Sequence, residues 1–411
     1  MRFKDALAAP GFGAIAEFKR RSPSAGDLRP DGDVEQVARA YETGGARAMS
    51  VLVDERFGGS WDDLRAARSV TRLPLLAKGF FSSPADFEQA REAGADAVLI
   101  LLRDLTDPAA TALLHIARTL GLDTLVEAHD AEELARAAKL AAPVIGINAR
   151  DLSDFSIHRK RQLELVAAAC ALEGPHDRIV IAESGIETRA QAAAAELAGA
   201  NAILVGSTLM RAADPGEKLR ELVSRPLVKV CGLTRQEDVD AAVEAGADMV
   251  GFILAAESPR RAEALLAAPD TVLRVAVFVG EVEETEADLV QFYGREDGHR
   301  SRDAVLLREG EQVGSVVDLP WGERDPLHLE RAKAATGRVM LAGGLGPDNV
   351  AEAIAEVHPW AVDSARSTEQ SPGIKHHDAV KQWVEAARDV GSTESRVAGG
   401  AGLHGPGGGT Q

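Results

Sequence analysis

Cysteine is almost absent from this sequence of 411 residues, which contains only Cys170 and Cys231. The two are far apart and form no Cys-x-x-Cys pair, which excludes a disulfide scaffold and a cysteine-based metal site. Two isolated cysteines fit a reducing compartment. The first residues contain no apolar segment of the kind that a secretory signal requires, and we therefore expect a cytoplasmic protein.

Long apolar runs and a surplus of positive charge are also missing. The longest uncharged stretch of apolar character, residues 197–210, falls short of the roughly 18 residues that a membrane-spanning helix needs. Lys and Arg number 46 against 64 Asp and Glu, which gives a net charge of -18. Such a chain has no general attraction to nucleic acid or an anionic membrane, and we expect neither as a partner. A phosphorylated small molecule would need a local concentration of positive charge.

The chain consists instead of short apolar runs that alternate with helical stretches rich in Ala, Glu and Arg. The runs are continuously apolar, which is typical of parallel strands buried on both faces. Eight strand–helix units in about 220 residues match the number and size of a (β/α)8 barrel. The eight runs of the first half are 13–19, 46–54, 74–80, 97–102, 124–129, 144–150, 178–184 and 202–207.

A second set of eight runs follows a boundary near Pro226. It predicts a second barrel, so the expected fold class is α/β with two consecutive (β/α)8 TIM barrels. Within 281–314 the runs lie too close together for a helix between each pair, and the second barrel is predicted to be trimmed there. The predicted domains are 1–224, 226–390 and a Gly-rich disordered tail, 391–411.

Charged and polar residues stand at the ends of the first eight runs, where barrel enzymes carry their chemistry. We expect them to converge on one rim, with Lys pKa values lowered and Glu pKa values raised toward neutrality. Gly and Ser after runs seven and eight predict a phosphate site built from backbone N–H groups. The converging residues are Glu17, Lys19, Lys78, Glu127, Asn148, Arg150, Glu183 and Ser184, and the phosphate-site residues are Gly185, Gly206 and Ser207.

Six segments of the first half resemble, in order, the signatures of indole-3-glycerol-phosphate synthase: EFKRRSPSAG, LLAKGFF, LVEAHDAEEL, GINARDL, AESGI and ILVGSTLM. The resemblance covers residues 1 to about 224. It implies a (β/α)8 barrel that closes, decarboxylates and dehydrates a carboxyphenylamino-deoxyribulose phosphate without a metal or organic cofactor. Members of that family usually carry a further segment before the first strand, with a helix over the active-site mouth, and an aspartate where Gly79 stands here.

The same resemblance implies individual roles. Lys78 corresponds to the general acid of ring closure and Glu127 to the acid–base residue of dehydration, while Lys19 would hold the substrate carboxylate and assist proton transfer. The remaining residues would orient the substrate or bind its phosphate: Glu17 and Asn148 at the hydroxyls, Glu183, Ser184 and Arg150 in support, and Ser22, Gly185, Gly206 and Ser207 in the phosphate cradle.

The second half resembles phosphoribosylanthranilate isomerase in KVCGLTR, ESPRRAE, VQFYG, VVDLP, LAGGLGPDNV and VDSARSTEQSPGIK. That family performs an Amadori rearrangement, which needs one base and one acid. Cys231 corresponds to the base and Asp318 to the acid, Arg260 to a contact with the anthranilate part, and Gly343 and Gly344 to the phosphate site. An exposed, electropositive setting is expected to lower the pKa of the Cys231 thiol.

Three interpretations follow for the whole chain. The first is a bifunctional enzyme of tryptophan biosynthesis that acts on small phosphorylated substrates. The second is a monofunctional synthase with an inactive structural module, which the compressed segment 281–314 favours. The third assigns the second barrel to another aminosugar-phosphate isomerisation, as in histidine biosynthesis; Cys231 argues against it, because those relatives usually employ an aspartate at that strand end. The sequence leaves the oligomeric state open and is compatible with a monomer.

Overall fold

The computed structural model describes residues 2–151, 154–173, 177–319 and 323–398. The chain divides into two compact units, Met1–Val223 and Ser224–Gln411. Each contains one closed barrel of eight strands. The prediction of two consecutive barrels, the second trimmed, is confirmed.

The first barrel is parallel throughout, and its last strand pairs with its first. All eight predicted runs are strands: β1 Gly13–Phe18, β2 Ala48–Leu52, β3 Leu75–Lys78, β4 Ala97–Leu101, β5 Asp123–Ala128, β6 Val144–Asn148, β7 Ile179–Glu183 and β8 Ala202–Val205.

Alternate residues of these strands point into the barrel or out toward the helices, which buries both faces. Ile15 belongs to the inner cluster, whereas its neighbours Ala14 and Ala16 pack in the outer one. This double burial explains why the strands are continuously apolar in sequence. The helices of this unit are α1 Phe3–Leu7, α2 Val34–Thr43, α3 Trp61–Val70, α4 Pro84–Glu92, α5 Asp107–Thr119, α6 Ala131–Lys139, α7 Arg159–Cys170, α8 Arg189–Leu197, α9 Ser207–Arg211 and α10 Pro215–Val223.

Helix α1 lies before the first strand and was not expected from the sequence. Phe3 and Leu7 are fully buried, and they join the inner cluster with Ile15 and Ala48 from the beginnings of β1 and β2. The short helix therefore covers the N-terminal end of the barrel, opposite the end that carries the charged residues.

The second barrel is closed by the pairing of its last strand with its first. Its strands also match the eight predicted runs: β9 Leu227–Cys231, β10 Met249–Ile253, β11 Leu273–Val279, β12 Leu289–Tyr293, β13 Ala304–Arg308, β14 Glu311–Val317, β15 Val339–Leu341 and β16 Ala361–Ser364.

One strand of this barrel runs in the reverse direction. Strand β13 is antiparallel to both β12 and β14, unlike the all-parallel order expected of a (β/α)8 barrel. The connections explain the reversal, because parallel strands need a crossover of a dozen or more residues whereas antiparallel ones can be joined by a two-residue turn. Glu309 and Gly310 alone join β13 to β14, and both have positive φ, as tight hairpin turns require.

The trimming is confined to one side of the barrel. Residues 254–310, all of which the structure describes, contain no helix, and a small hairpin of Arg295–Glu296 and His299–Arg300 follows β12 instead. On β12 and β13 the outward side chains Val290 and Leu307 are accordingly only half-buried. The helices described in this unit are α11 Gln236–Glu244, α12 His328–Ala334, α13 Val350–Val357 and α14 His377–Ala398.

Helix α14 overlaps the beginning of the segment that the sequence analysis predicts to be a disordered tail. Its backbone continues to Ala398, whereas disorder was expected from Gly391. Residues 392–398 include no glycine, and the Gly-rich composition begins only at Gly399, so the helix meets no strong breaker until there. Residues 399–411 lie outside the described residues. Among those described, no helix is both long and apolar enough to cross a membrane.

The side of the second barrel that lacks helices is expected to be the first site of limited proteolysis. Glu281, Glu283 and Glu284 are exposed and belong to no helix or strand, and such segments open at low free-energy cost. A glutamate-specific protease at limiting dose should therefore cleave within 281–326 before any other site between residues 2 and 390, as mass spectrometry of the fragments would show. Earliest cuts within 46–207 would contradict the prediction.

Candidate functional site

Lys78 stands at the centre of the first barrel's mouth, at the end of β3. Its Nζ lies 2.7 Å from Glu183 Oε2, 3.4 Å from Glu17 Oε2 and 3.4 Å from Glu127 Oε2. The three carboxylates come from strands β7, β1 and β5, and their side chains are almost fully buried. The structure thus brings together the charged residues that the sequence analysis expected to converge.

The pKa values in this cluster only partly follow the expectation. Burial alone would lower the pKa of Lys78, but the three surrounding carboxylates raise it well above its ordinary value. The expected lowering is therefore wrong, because Lys78 gains more from its counter-ions than it loses by desolvation. Burial raises the pKa of Glu183 to about 8 against the pull of Lys78, as expected.

Glu127 behaves differently from Glu183. Burial favours its neutral form, yet the charges of Lys78 and His129 lower the pKa of its carboxyl below the ordinary value. Asn148 Nδ2 also donates a hydrogen bond to Glu127 Oε1 at 2.9 Å. The site therefore holds one carboxylate ionised beside another that is protonated near neutrality, an arrangement that separates acid and base roles.

His129 is a residue that the sequence analysis missed. Its Nε2 lies 3.2 Å from Glu127 Oε1, and its Nδ1 makes a 3.0 Å hydrogen bond with Glu133 Oε2. The signal was available, since His129 follows Glu127 by two residues and so projects to the same side of an extended segment. Glu133 lies in the first turn of α6, where its carboxylate also accepts from the backbone N–H of His129.

Lys19 and Glu17 form an ion pair of 2.5 Å at the end of β1. Burial raises the pKa of the Glu17 carboxyl, but Lys19 and Lys78 outweigh it and keep the pKa below its ordinary value. Gly206 allows this pair to sit against β8, because a Cβ at residue 206 would lie 2.4 Å from Glu17 Oε1. The glycine that was predicted to bind phosphate is thus also required by the packing of the charged cluster.

A cavity of about 380 Å³ opens above this cluster. Strand ends and the hairpin after β1 contribute to its wall, and Arg150 and Arg211 add positive charge. All predicted residues of this half line the cavity except Glu183, which lies beneath it against Lys78. The lining residues predicted from sequence are Glu17, Lys19, Ser22, Lys78, Glu127, Asn148, Arg150, Ser184, Gly185, Gly206 and Ser207.

Gly79, which stands where an aspartate was expected from the resemblance, is closely packed against an aromatic side chain. A Cβ at residue 79 would lie 2.8 Å from the ring of Phe81. That ring is stacked on Trp61 at 5.8 Å and meets Phe87 edge-on at 6.1 Å. The aromatic cluster therefore occupies the space that a side chain at residue 79 would need.

The raised pKa of Glu183 predicts a pH-dependent stability of the first barrel. The pKa of Glu183 is about 8 in the folded protein and has its ordinary value in the unfolded chain. Between roughly pH 4.5 and 8 the carboxyl is therefore protonated in the folded protein but ionised in the unfolded chain. The free energy of unfolding then falls as pH rises through this window, by at most about 1.4 kcal/mol per pH unit. Glu183→Gln removes the titration, so the variant should gain stability relative to wild type across the window and show no further gain above it.

Hydrogen exchange of the first-barrel strand amides in urea would measure this difference for one barrel at a time. Glu164→Gln, at an exposed position on α7, is the matched control. The prediction would be contradicted if the free energy of unfolding of Glu183→Gln differed from that of wild type by the same amount at every pH from 5 to 9.

In the second barrel, the thiol of Cys231 at the end of β9 adjoins a buried lysine. Lys229 Nζ lies 3.2 Å from Cys231 Sγ, 2.7 Å from Gln291 Oε1 and 3.1 Å from Asp363 Oδ2. Lys229 is completely buried. The sequence analysis did not single it out, although it precedes Cys231 by two residues and so faces the same interior.

The expected setting of Cys231 is wrong in one respect. The residue is buried, and burial together with the charge of Asp363 raises the pKa of its thiol, although Lys229 opposes the rise. The expected positive charge is present on Lys229, but Lys229 is also paired with Asp363. Its effect on the thiol pKa is therefore smaller than the opposing effect of burial. Cys170, in the other barrel, is the exposed cysteine.

Asp318 is held at the end of β14 by a tyrosine and an arginine. Its Oδ2 accepts from Tyr293 Oη at 2.9 Å and from Arg300 Nη2 at 3.0 Å. Tyr293 in turn accepts from Gln291 Nε2 at 2.7 Å, so side chains connect Asp318 to the partners of Lys229. Arg300 belongs to the hairpin that replaces a helix after β12, and the trimmed side of the barrel thereby supplies a residue to its mouth.

The other predicted residues of this half lie around one cavity of about 920 Å³. Arg260 lines it while paired with Glu369 at 2.8 Å. Gly343 has a φ of 84° and approaches Leu319 so closely that a Cβ would lie 2.3 Å from its backbone nitrogen. Cys231, Asp318 and Gly344 share the same wall. Residues 320–322, where the sequence departs from the family's glycine-rich loop, lie outside the described residues.

Comparison with known families agrees with this division. Residues 1–222 match the family model described as indole-3-glycerol phosphate synthase, and residues 325–386 match that of N-(5'phosphoribosyl)anthranilate isomerase. Indole-3-glycerol phosphate synthase 2 of Streptomyces coelicolor is 44% identical over 222 residues, 54% of this chain and 84% of its own length. The synthase of Mycolicibacterium smegmatis is 43% identical over 220 residues, 53% of this chain and 79% of its own.

Solved structures that are similar to part of the chain include TrpF from Jonesia denitrificans, with 26% identity over 41% of this chain and 98% of that one, at a TM-score of 0.33. Phosphoribosyl anthranilate isomerase from Thermotoga maritima is 26% identical over 40% of this chain and 99% of its own, at a TM-score of 0.31. The two family matches indicate an enzyme of tryptophan biosynthesis and support the bifunctional interpretation. The chain belongs to the indole-3-glycerol phosphate synthase family, and its second barrel carries the match to the phosphoribosylanthranilate isomerase family.

Proposed function

We propose that the two barrels catalyse consecutive steps of tryptophan biosynthesis on small phosphorylated substrates. The second barrel would convert phosphoribosylanthranilate into the carboxyphenylamino-deoxyribulose phosphate, and the first would close that product to indole-3-glycerol phosphate with loss of CO2 and water. The observation that carries the proposal is the position of Lys78, whose ammonium lies within 3.4 Å of three buried carboxylates below the cavity.

Ring closure needs an acid at the substrate carbonyl, because the oxygen gains negative charge as the new carbon–carbon bond forms. Lys78 is protonated at neutral pH, since its carboxylate neighbours raise its pKa, and it projects toward the cavity. Lys19 would pair with the substrate carboxylate until CO2 leaves. These two cations lie in a mouth largely shielded from water, where charge interactions are stronger than in bulk solvent.

Dehydration then needs a group that exchanges protons with the ring and its hydroxyl. Glu127, like Glu17, is an ionised carboxylate of the cluster, and it lines the cavity beside Asn148. Glu17 and Asn148 would orient the substrate hydroxyls, with Glu183 and Ser184 in support. For the phosphate, the neighbouring ends of β7 and β8 would provide Gly185, Gly206 and Ser207, and Ser22 lines the same cavity.

In the second barrel, Cys231 would remove the proton from C2 of the substrate and Asp318 would protonate the ribose ring oxygen. The wide cavity has room for both the aromatic and the ribose phosphate parts, with Arg260 toward the anthranilate and Gly343 and Gly344 toward the phosphate. Arg300 and Tyr293 fix the Asp318 carboxylate at the mouth.

The two reactions can be tested on the purified full-length chain. Incubation with phosphoribosylanthranilate should yield indole-3-glycerol phosphate, and the carboxyphenylamino-deoxyribulose phosphate should be converted when supplied alone. Conversion of the second substrate without the first would support the alternative of a synthase with an inactive isomerase-like module. Turnover of neither would refute the proposal. The reducing environment expected from the two free cysteines fits a cytoplasmic enzyme.

A further inference from the structure

Arg366 differs from the other arginines around the second barrel's cavity in having no carboxylate partner. The residue is exposed and lines the cavity mouth. Within the part of the chain that the structure describes, its guanidinium makes no hydrogen bond or ion pair. The other three arginines that line the cavity are each paired with a carboxylate, and the pairs are Arg260–Glu369 at 2.8 Å, Arg295–Glu257 at 2.7 Å and Arg300–Asp318 at 3.0 Å.

Arg366 lies beside the loop that contains the two predicted phosphate-site glycines. It follows the end of β16, and Gly343 and Gly344 follow the end of β15, which pairs with β16. Ser364 Oγ donates a 2.9 Å hydrogen bond to the carbonyl of Leu345 and so joins the two connections. The free guanidinium and the two glycines therefore belong to one corner of the cavity.

The turn that carries Arg366 is fixed from inside the barrel. The carbonyl oxygen of Ala365 accepts hydrogen bonds from Lys375 Nζ at 2.8 Å and from Thr368 Oγ1 at 2.7 Å. Both donor residues are buried. Because the peptide before Arg366 is held in this way, a ligand that binds the side chain does not have to order the backbone, and such preorganisation favours binding.

The charges around Arg366 also favour an anion. Burial lowers the pKa of its guanidinium, and the positive charges of Arg260 and Arg300 lower it further. Asp318 and Glu369 oppose the fall without reversing it, and each of them is already paired with another arginine. The corner thus contains a cation whose positive neighbours repel it, and a bound anion would relieve that repulsion.

We propose that Arg366 binds the phosphate group of the isomerase substrate through charge-assisted hydrogen bonds, while the backbone N–H groups of Gly343 and Gly344 hold other phosphate oxygens. Among the described residues, neither N–H group has a hydrogen-bond acceptor. The inference rests on the proposed isomerase function and assigns this residue a role in it.

A phosphate monoester is the part of the substrate that best matches this corner. It carries a charge of about -1.5 to -2 near neutral pH, whereas a backbone N–H group supplies only a partial positive charge. Arg366 would add a full positive charge, and its planar guanidinium can donate two parallel hydrogen bonds to phosphate oxygens. Such a local cation matters in a chain whose net charge of -18 repels anions at long range.

The first test is kinetic and uses Arg366→Ser in the full chain. The KM for phosphoribosylanthranilate should rise by about 10- to 100-fold, the range expected for a lost hydrogen bond to a charged group. Because Cys231 and Asp318 keep their positions, kcat should stay close to the wild-type value. The inhibition constant of inorganic phosphate against the isomerase step should rise at least about tenfold at constant ionic strength, whereas that against the synthase step should not change.

Two further variants separate phosphate binding from a general effect of charge. Arg366→Lys keeps the charge but loses the planar donor pair, so its KM should lie between those of wild type and Arg366→Ser. Arg295→Ser is the matched control, because it removes a cation from the same cavity that is already paired with Glu257. It should leave both the KM and the inhibition by inorganic phosphate unchanged.

Rapid-quench hydrogen exchange gives a measurement that does not depend on turnover. Inorganic phosphate should slow exchange at the amides of Gly343 and Gly344 in wild type but not in Arg366→Ser. An unchanged KM in folded Arg366→Ser, or a raised KM with unchanged inhibition by inorganic phosphate, would overturn the assignment and leave the isomerase function intact. Amide protection by phosphate in a wild-type chain that does not convert phosphoribosylanthranilate would instead refute the isomerase function and support Arg366 as a phosphate-binding residue.

Discussion

Lys78→Met is expected to lower indole-3-glycerol phosphate formation by about 10²–10⁴-fold, the usual contribution of a general acid. Methionine keeps the unbranched side chain up to the ε position but removes the ammonium group, the proposed proton donor. It also removes the cation that lies within 3.4 Å of three buried carboxylates. Their pKa values should rise, because an uncompensated buried charge is costly and the groups take up protons instead.

The chain contains controls for this experiment. Lys139→Met changes an exposed lysine of α6 in the same barrel and should leave the rate unchanged. Isomerase activity of Lys78→Met should also be unaffected, since Cys231 and Asp318 belong to the other unit. Circular dichroism and hydrogen exchange of the first-barrel strands would establish that the variant is folded. A folded variant that loses less than tenfold would contradict the assignment of Lys78 as the acid.

The strands of both barrels could be predicted because burial on two faces leaves a direct trace in sequence. All four residues of Ala202–Val205, for example, are apolar and buried. The convergence of Lys78 with Glu127 and Glu183 followed from the barrel geometry alone, since the C-terminal ends of parallel strands meet at one rim. Neither inference required knowledge of individual contacts.

Strand direction leaves no comparable trace, and this is why the reversal of β13 was missed. Ala304–Arg308 is as apolar as a parallel strand, and only the short turn at Glu309 and Gly310 indicates its direction. The ion pair between Arg300 and Asp318 depends on that irregular connection and could not be foreseen. The pKa of Cys231 was misjudged for a related reason, because burial and the charge of Asp363 come from residues distant in sequence.

Cys231→Ser should abolish the isomerase step almost completely and leave the synthase step unchanged. As the proposed base, Cys231 would act in its thiolate form. A serine hydroxyl is far too weak an acid to ionise at neutral pH and so cannot replace the thiolate. Because burial raises the thiol pKa above its ordinary value, only a small fraction of Cys231 is ionised near pH 7. The wild-type isomerase rate should therefore rise about tenfold per pH unit until the pH reaches that pKa. Near-normal isomerase activity in Cys231→Ser would place the base elsewhere.

Two neighbours of Cys231 should move this pH profile in opposite directions. Asp363→Asn removes a negative charge that raises the thiol pKa, so the rising limb should shift to lower pH. Lys229→Met removes the ammonium 3.2 Å from Sγ that lowers it, so the limb should shift to higher pH. If either residue served only to stabilise the fold, its substitution would lower isomerase activity at every pH and leave the rising limb of the pH–rate profile at the same pH. Shifts in the same direction for both variants would contradict the thiolate mechanism, because the two charges act on Sγ with opposite sign.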